Sequence, residues 1–302
     1  MCEFLLAAVI LAGVWIFAVA PGRSHPGQCA PFMGRTFAHR GLYTKNQSVP
    51  ENSLPAFLAA VEAGYGVELD VQLTRDKQLV VFHDDTLDRA CGAAKRVDAY
   101  TYEQLLQFSL FDTNHRIPLF SDVLATIDGR VPIIVELKAG GDWKTLCKKT
   151  GRMLGDYRGN YCVESFHPLP VRWFAKNEPS VLRGQLSEAY RYSHQFLPWH
   201  KAVMMSRLLT NCLTHPQFLS YRIGPKCLSA RAAEWLGAMR VCWTAHPEDD
   251  WAELMRTADC IIFEHCRPAT HFAKNDTAAP LLLELEPLIK STEHITAATP
   301  KT

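Results

Sequence analysis

Four apolar runs that end in ionisable residues constrain this chain more than any bulk property. They are Ala38-His39-Arg40-Gly41, Val67-Glu68-Leu69-Asp70-Val71, Val80-Val81-Phe82-His83-Asp84 and Ile133-Ile134-Val135-Glu136-Leu137-Lys138. Each is strand-like and carries acid, imidazole, ammonium or guanidinium at or near its end. An unpaired buried charge is strongly disfavoured, so these groups must converge on a common site. Strands whose C-terminal ends all carry chemistry point to a parallel β/α barrel with its site at that face. The 302 residues suffice for one such barrel of about 250 residues with extras. Nine candidate strands follow: 36–38, 67–71, 79–82, 133–137, 161–165, 182–186, 218–221, 240–243 and 260–263. Helical patterns at 54–62, 143–154, 230–236 and 251–258 alternate with them.

Nine strands are one too many for an eight-stranded barrel. Val71 and Leu79 are separated by a short turn around Thr74-Arg75-Asp76-Lys77. A parallel crossover needs a dozen residues or more, so these two strands must pair as a hairpin. The hairpin would carry His83 over the barrel mouth. Residues 84–120, with weak strand signals and a short helix at 102–108, then read as a small insertion. The expected organisation is an N-terminal apolar segment over 1–22, a linker over 23–34, a barrel over 35–268 and a tail over 269–302. Within that tail, 281–289 is the one stretch with an ordered pattern.

Phe4 to Ala20 carries no charge. The basic residues lie after it, at Arg23, Arg35 and Arg40, and the positive-inside rule then places the C-terminal side in the cytoplasm. A cleaved signal, and with it a secreted protein, is the alternative. Pro21 directly after the Ala18-Val19-Ala20 site and the absence of Lys or Arg before the apolar run argue against it. An uncleaved membrane anchor with a cytoplasmic catalytic unit is the expectation. The dense apolar residues at 196–213 fit a barrel helix packed on the sheet or a membrane-facing surface. The chain has 10 cysteines and no C-x-x-C pair, so neither a zinc framework nor a redox motif is indicated. They read as reduced thiols. A net charge of +1 gives no footprint for nucleic acid.

Glu68 and Asp70 stand two apart in a strand and point to the same side. Like charges so close are destabilising unless something positive lies between them. Glu136 ends another strand in the same way. Three carboxylates without soft ligands favour a hard divalent cation, Mg²⁺ or Ca²⁺; salt bridges to Arg40 and Lys138 are the competing explanation. His39 and His83 beside this site fit a general acid and a general base. Arg40 and Lys138 add positive charge suited to a phosphoryl group. Glu51 and Asn52 would orient Arg40 or the metal shell, or else cap the helix starting near Leu54. Trp243 would line a substrate pocket or fill the core. No phosphate-cradling glycine loop is present, so nucleotide use is not indicated.

In this order, His39-Arg40-Gly41, Pro50-Glu51-Asn52-Ser53, Glu68-x-Asp70, Phe82-His83-Asp84-x-Thr86-Leu87-x-Arg89 and Glu136-x-Lys138 resemble the motif set of the glycerophosphodiester phosphodiesterase family. Glu164-Ser165-Phe166 and Val241-Cys242-Trp243-Thr244 are similar too. The resemblance implies a (β/α)8 TIM-type barrel with a small insertion. It implies a divalent cation held by Glu68, Asp70 and Glu136, acid–base work by His39 and His83, and release of sn-glycerol 3-phosphate from a small glycerophosphodiester. A lysophospholipase D acting on lysophospholipids is the alternative activity, and a non-catalytic barrel for phospholipid head groups is a second. Where the family ends its last strand in Thr-Asp, this chain has Phe263-Glu264-His265, which puts that acidic contact in question. Oligomeric state and the alcohol accepted are not fixed by these motifs.

Overall fold

The structure, a computed structural model, describes residues 2–189 and 199–274. The strands are β1 (Arg35–Ala38), β2 (Gly66–Leu73), β3 (Leu79–Val81), β4 (Thr86–Leu87), β5 (Ala93–Arg96), β6 (Ile133–Leu137), β7 (Tyr161–Ser165), β8 (Leu182–Ser187), β9 (Phe218–Arg222), β10 (Met239–Ala245) and β11 (Cys260–Phe263). Eight of them are parallel. Their order is β2-β6-β7-β8-β9-β10-β11-β1, and β1 pairs back onto β2 to close the cylinder. The fold is a (β/α)8 barrel.

All nine expected strands form, and the surplus one is accounted for as expected. β3 runs antiparallel to β2, with Val71 opposite Val81 and Leu73 opposite Leu79. Lys77 takes a left-handed conformation in the turn. The pairing of β4 with β5 escaped the sequence reading because those strands are too short to show alternation. The segment after β3 packs on itself, with Phe82, Leu87, Ala90, Val97, Leu105, Leu110 and Ile117 in one apolar cluster. Its helix is shorter than expected, Tyr102–Leu105.

Alternation along the strands sorts the barrel into layers. Val67, Leu69 and Val71 face outward and pack with Phe57, Phe120, Val123, Leu146 and Phe174 in the larger core. The inward side holds Phe37, Ile134, Cys162, Leu182, Phe218, Val241, Cys260 and Ile262 in a second apolar cluster. One step further along several strands the inward residues turn polar: Glu136 follows Ile134 at i+2, Glu164 follows Cys162, and Glu264 follows Ile262. The lower barrel is therefore dry and its C-terminal mouth ionisable. Gly184 is required in this packing, because a Cβ there would overlap the Phe218 ring. Phe32, stacked on Phe37 with ring centroids 6.0 Å apart, fills the N-terminal end. The stretch before β1 carries a helical turn at Pro26–Cys29.

An anchor over Phe4–Ala20 is not supported. The segment is helical over Cys2–Val19, 18 residues. At 1.5 Å per residue it spans about 27 Å, short of a hydrocarbon core of about 30 Å. Among the described residues no helix is long and apolar enough to cross a membrane. The membrane-facing and cytoplasmic expectations that rested on that anchor lose their basis. Its far end is tied to the barrel: Val19 is buried, and Asn211 Nδ2 donates to the Val19 carbonyl at 3.0 Å. Of 196–213, positions 196–198 lie outside the described residues, as does the tail from 275 including 281–289. The rest forms helices Trp199–Ser206 and Asn211–Thr214, with Leu208 and Asn211 buried but Val203, Met204, Leu209 and Leu213 exposed. The nine cysteines from Cys29 to Cys266 are all free thiols.

Candidate active site

The strand register assembles the site. Asp70 on β2 lies opposite Glu136 on β6, and Glu136 lies opposite Glu164 on β7. Glu68, one inward step below Asp70, completes a group with Asp70 and Glu136 whose carboxylate oxygens lie within 4.8 Å of one another. All three are buried. Lys138 Nζ sits between two of them, 3.0 Å from Asp70 and 2.8 Å from Glu136. Burial, together with the neighbouring carboxylates, raises Glu68 well above the ordinary carboxylate range. Glu136 is pushed up to about 7 by burial and by Asp70, with Lys138 pulling the other way. Asp70 behaves oppositely: burial works against its charge, yet Lys138, His83 and Arg40 hold it well below the usual range. Asp70 is thus a firm anion beside two carboxyls that burial makes reluctant to ionise. The donor set is oxygen only, and an ammonium already bridges two of the carboxylates. These residues fit a hard cation.

Arg40, two residues beyond the β1 end, has a left-handed backbone. That turn aims its amide N–H at Glu68, 3.1 Å away, and its guanidinium at Glu51, 2.8 Å away. Glu51 also accepts both terminal nitrogens of Arg89, at 2.6 and 3.1 Å. Arg89 donates through Nε to Asp84 at 2.7 Å, and Asp84 holds His83 Nδ1 at 2.6 Å. A continuous chain of ionic hydrogen bonds thus joins Arg40 to His83 across the insertion. Asn52 Nδ2 donates to Asp70 at 2.8 Å, so Glu51 and Asn52 brace the charged centre and do not cap the helix behind them. Gln72, which the sequence did not single out, donates to the carbonyls of Phe82, His83 and Asp84 and pins the loop that carries His83.

His39 and His83 line the same cavity of about 500 Å³, together with Arg40, Phe166, Trp243 and His246. Burial lowers both imidazoles from their ordinary value. The cations beside them add to this, Arg40 for His39 and Lys138 for His83, which falls to about 4. A smaller hollow beneath connects His39 and His83 with Glu68, Glu136 and Glu164. Trp243 meets Phe166 edge to face at 5.6 Å, and its Nε1 is buried without a hydrogen-bond partner. Every residue named from the sequence is gathered here. Glu264, flagged only as a departure from pattern, proves central. It accepts from His39 Nδ1 at 2.9 Å, Tyr43 at 2.7 Å and His246 Nε2 at 2.7 Å. Tyr43 and His246 carried no recognisable signal in the sequence.

Residues 39–265 match the sequence model of the Glycerophosphoryl diester phosphodiesterase family. The chain belongs to this family. It is 32% identical over 181 residues to a glycerophosphodiester phosphodiesterase of Caldanaerobacter subterraneus, covering 56% of this chain and 71% of that protein. It is 28% identical over 150 residues to a lysophospholipase D of Homo sapiens, covering 45% of this chain and 46% of that one. YhdW of Bacillus subtilis is 33% identical over 153 residues, 48% of this chain and 62% of the relative. The matches thus span between 46% and 71% of these relatives' lengths. Among solved structures, an Oleispira antarctica phosphodiesterase in complex with the product sn-glycerol-3-phosphate superposes with a TM-score of 0.61. Identity is 18%, and the match covers 76% of this chain and 93% of that one. The Thermotoga maritima glycerophosphodiester phosphodiesterase gives 0.54 at 22% identity, covering 76% and 93%. At such identity these structures establish the barrel fold.

Proposed function

We propose that this chain hydrolyses glycerophosphodiesters to sn-glycerol 3-phosphate and an alcohol, in a reaction that depends on Mg²⁺ or Ca²⁺. One observation carries the proposal: the buried carboxylate group opens beneath a cavity lined by two histidines and a guanidinium. Glu68, Asp70 and Glu136 would hold the cation, which supplies positive charge against the phosphodiester oxygens. Arg40 and Lys138 contribute two further cations whose positions are fixed before substrate arrives. One histidine removes a proton from the nucleophile, either the glycerol 2-hydroxyl or water, and becomes imidazolium; the other, entering the step as imidazolium, gives its proton to the departing alkoxide and is left neutral. Asp84 and Glu264 hold these rings through Nδ1. The unpartnered Trp243 Nε1 is a donor suited to a glycerol hydroxyl.

The decisive experiment follows release of sn-glycerol 3-phosphate from glycerophosphocholine, with and without EDTA. Turnover that stops with chelator and returns with Mg²⁺ or Ca²⁺ is expected. Full activity in metal-free protein, or none under any condition, would reject the proposal. Including lysophosphatidylcholine in the panel separates the lysophospholipase D activity found in the name of the human relative.

A further inference from the structure

We infer that Glu264 is a positioning residue for His39: it fixes the imidazole tautomer, with the proton on Nδ1 and the free lone pair on Nε2. The inference deepens the proposed hydrolysis and rests on it for its catalytic meaning. The β1–β11 register sets the pair. Ala38 lies opposite Phe263, and the His39 amide donates to the Phe263 carbonyl at 2.9 Å, so the next residues, His39 and Glu264, leave the barrel side by side. The Glu264 amide is fixed in turn on the Ala245 carbonyl at 3.0 Å.

The carboxylate is held at both oxygens. Oε2 receives His39 Nδ1 and the Tyr43 hydroxyl, and Oε1 receives His246 Nε2. The donors come from two loops at the barrel mouth, His39 and Tyr43 after β1 and His246 after β10, and the acceptor Glu264 from a third, after β11. An ionised carboxylate can only accept, so the shared proton on the His39 side must sit on Nδ1. Nε2 is then directed toward the charged centre, 3.9 Å from Glu68 Oε2. It is the atom left to take a proton from a nucleophile in the cavity. Tyr43 is buried and His246 is anchored by its own amide to Asp249 at 2.7 Å, so the clamp itself has little freedom.

The test has two parts. The first needs no mutation. Nitrogen-15 NMR of the imidazoles of the full chain, at about pH 8 where an ordinary histidine is neutral, should show the His39 proton on Nδ1. A proton on Nε2 overturns the inference whatever the enzyme hydrolyses. The second is Glu264→Gln, compared with Glu264→Asp. Gln can present an N–H to His39 and reverse its tautomer. Replacing the carboxylate of a comparable catalytic triad with an amide costs about 10⁴ in kcat. Here kcat is expected to fall by about 10²-fold or more, with KM within about threefold, and Asp should recover at least about tenfold relative to Gln. A folded Gln variant with near-native kcat, or a loss confined to KM, overturns it. Should the Gln variant fail to fold, the tautomer in the unaltered chain still decides. Absence of turnover by the unaltered chain would reject the proposed hydrolysis and leave the tautomer result standing.

Discussion

Glu136→Gln should make the metal-free protein more stable at alkaline pH, while removing its capacity to be stabilised by a divalent cation. Glu136 is buried, and its carboxyl is raised from 4.5 to about 7 by burial and Asp70. A folded value above the unfolded one means that ionisation opposes folding. The cost is absent below about pH 4.5, grows between the two values and is complete above about pH 7, where it reaches about 3 kcal/mol. Geometry gives a similar figure. At the 4.8 Å limit of the carboxylate group, two unit charges repel by about 3.5 kcal/mol in an effective dielectric of about 20. Lys138 offsets part of this. Gln has nearly the same shape and no charge, so its stability should not carry that pH dependence. Urea unfolding followed by tryptophan fluorescence in EDTA, at about pH 5 and about pH 8, should show the two proteins diverging by about 3 kcal/mol in favour of the variant. A cation at 100 times its dissociation constant should return about 2.7 kcal/mol to the native sequence and little to the variant. Parallel pH profiles in EDTA, or equal stabilisation by Mg²⁺ or Ca²⁺, would refute the repulsion argument.

His39→Ala and His83→Ala should each lower kcat by about 10²–10⁴ with the thermal midpoint little changed; near-native turnover in either would make that ring structural. Gly184→Ala should cost about 1–3 kcal/mol in urea unfolding, because its methyl group meets the buried Phe218 ring. An unchanged midpoint would show that β8 and β9 can separate without penalty.

The barrel was legible because its strands are bounded by charge. Several inward faces read apolar and then ionisable, as Ile134 and Glu136 do, and a period of two is enough to place both on one side. The hairpin at Val71–Leu79 was legible by chain length alone. What sequence did not disclose depends on pairings with no local spacing. Tyr43, His246 and Glu264 are far apart in the chain and meet only because β1, β10 and β11 are neighbours. Gln72 shares the inward face of Glu68 and Asp70 but carries no charge to draw notice, and its three bonds to the His83 loop exist only once β3 folds back. The N-terminal helix failed in another way. Its apolar composition could be read, but the length of the helix it forms, Cys2–Val19, could not.

The hairpin also explains why the insertion belongs to the chemistry. His83 stands on no barrel strand, so a barrel alone would hold it poorly. Two independent ties replace a strand: Gln72 from β2 grips the loop backbone, and Asp84, through Arg89 and Glu51, connects the ring to Arg40 at the β1 end. Buried charge is costly alone and tolerable when every member is satisfied. Here five alternating charged or ionisable groups are joined by hydrogen bonds, with Arg40 Nε left 3.6 Å from Asp70 without one, and the helix Asp88–Cys91 that carries Arg89 is itself seated by Ala90 in the insertion's apolar cluster. The packing of that small cluster therefore supports one of the two ties on His83, and a change in its core should be felt in catalysis before it is felt in the stability of the barrel.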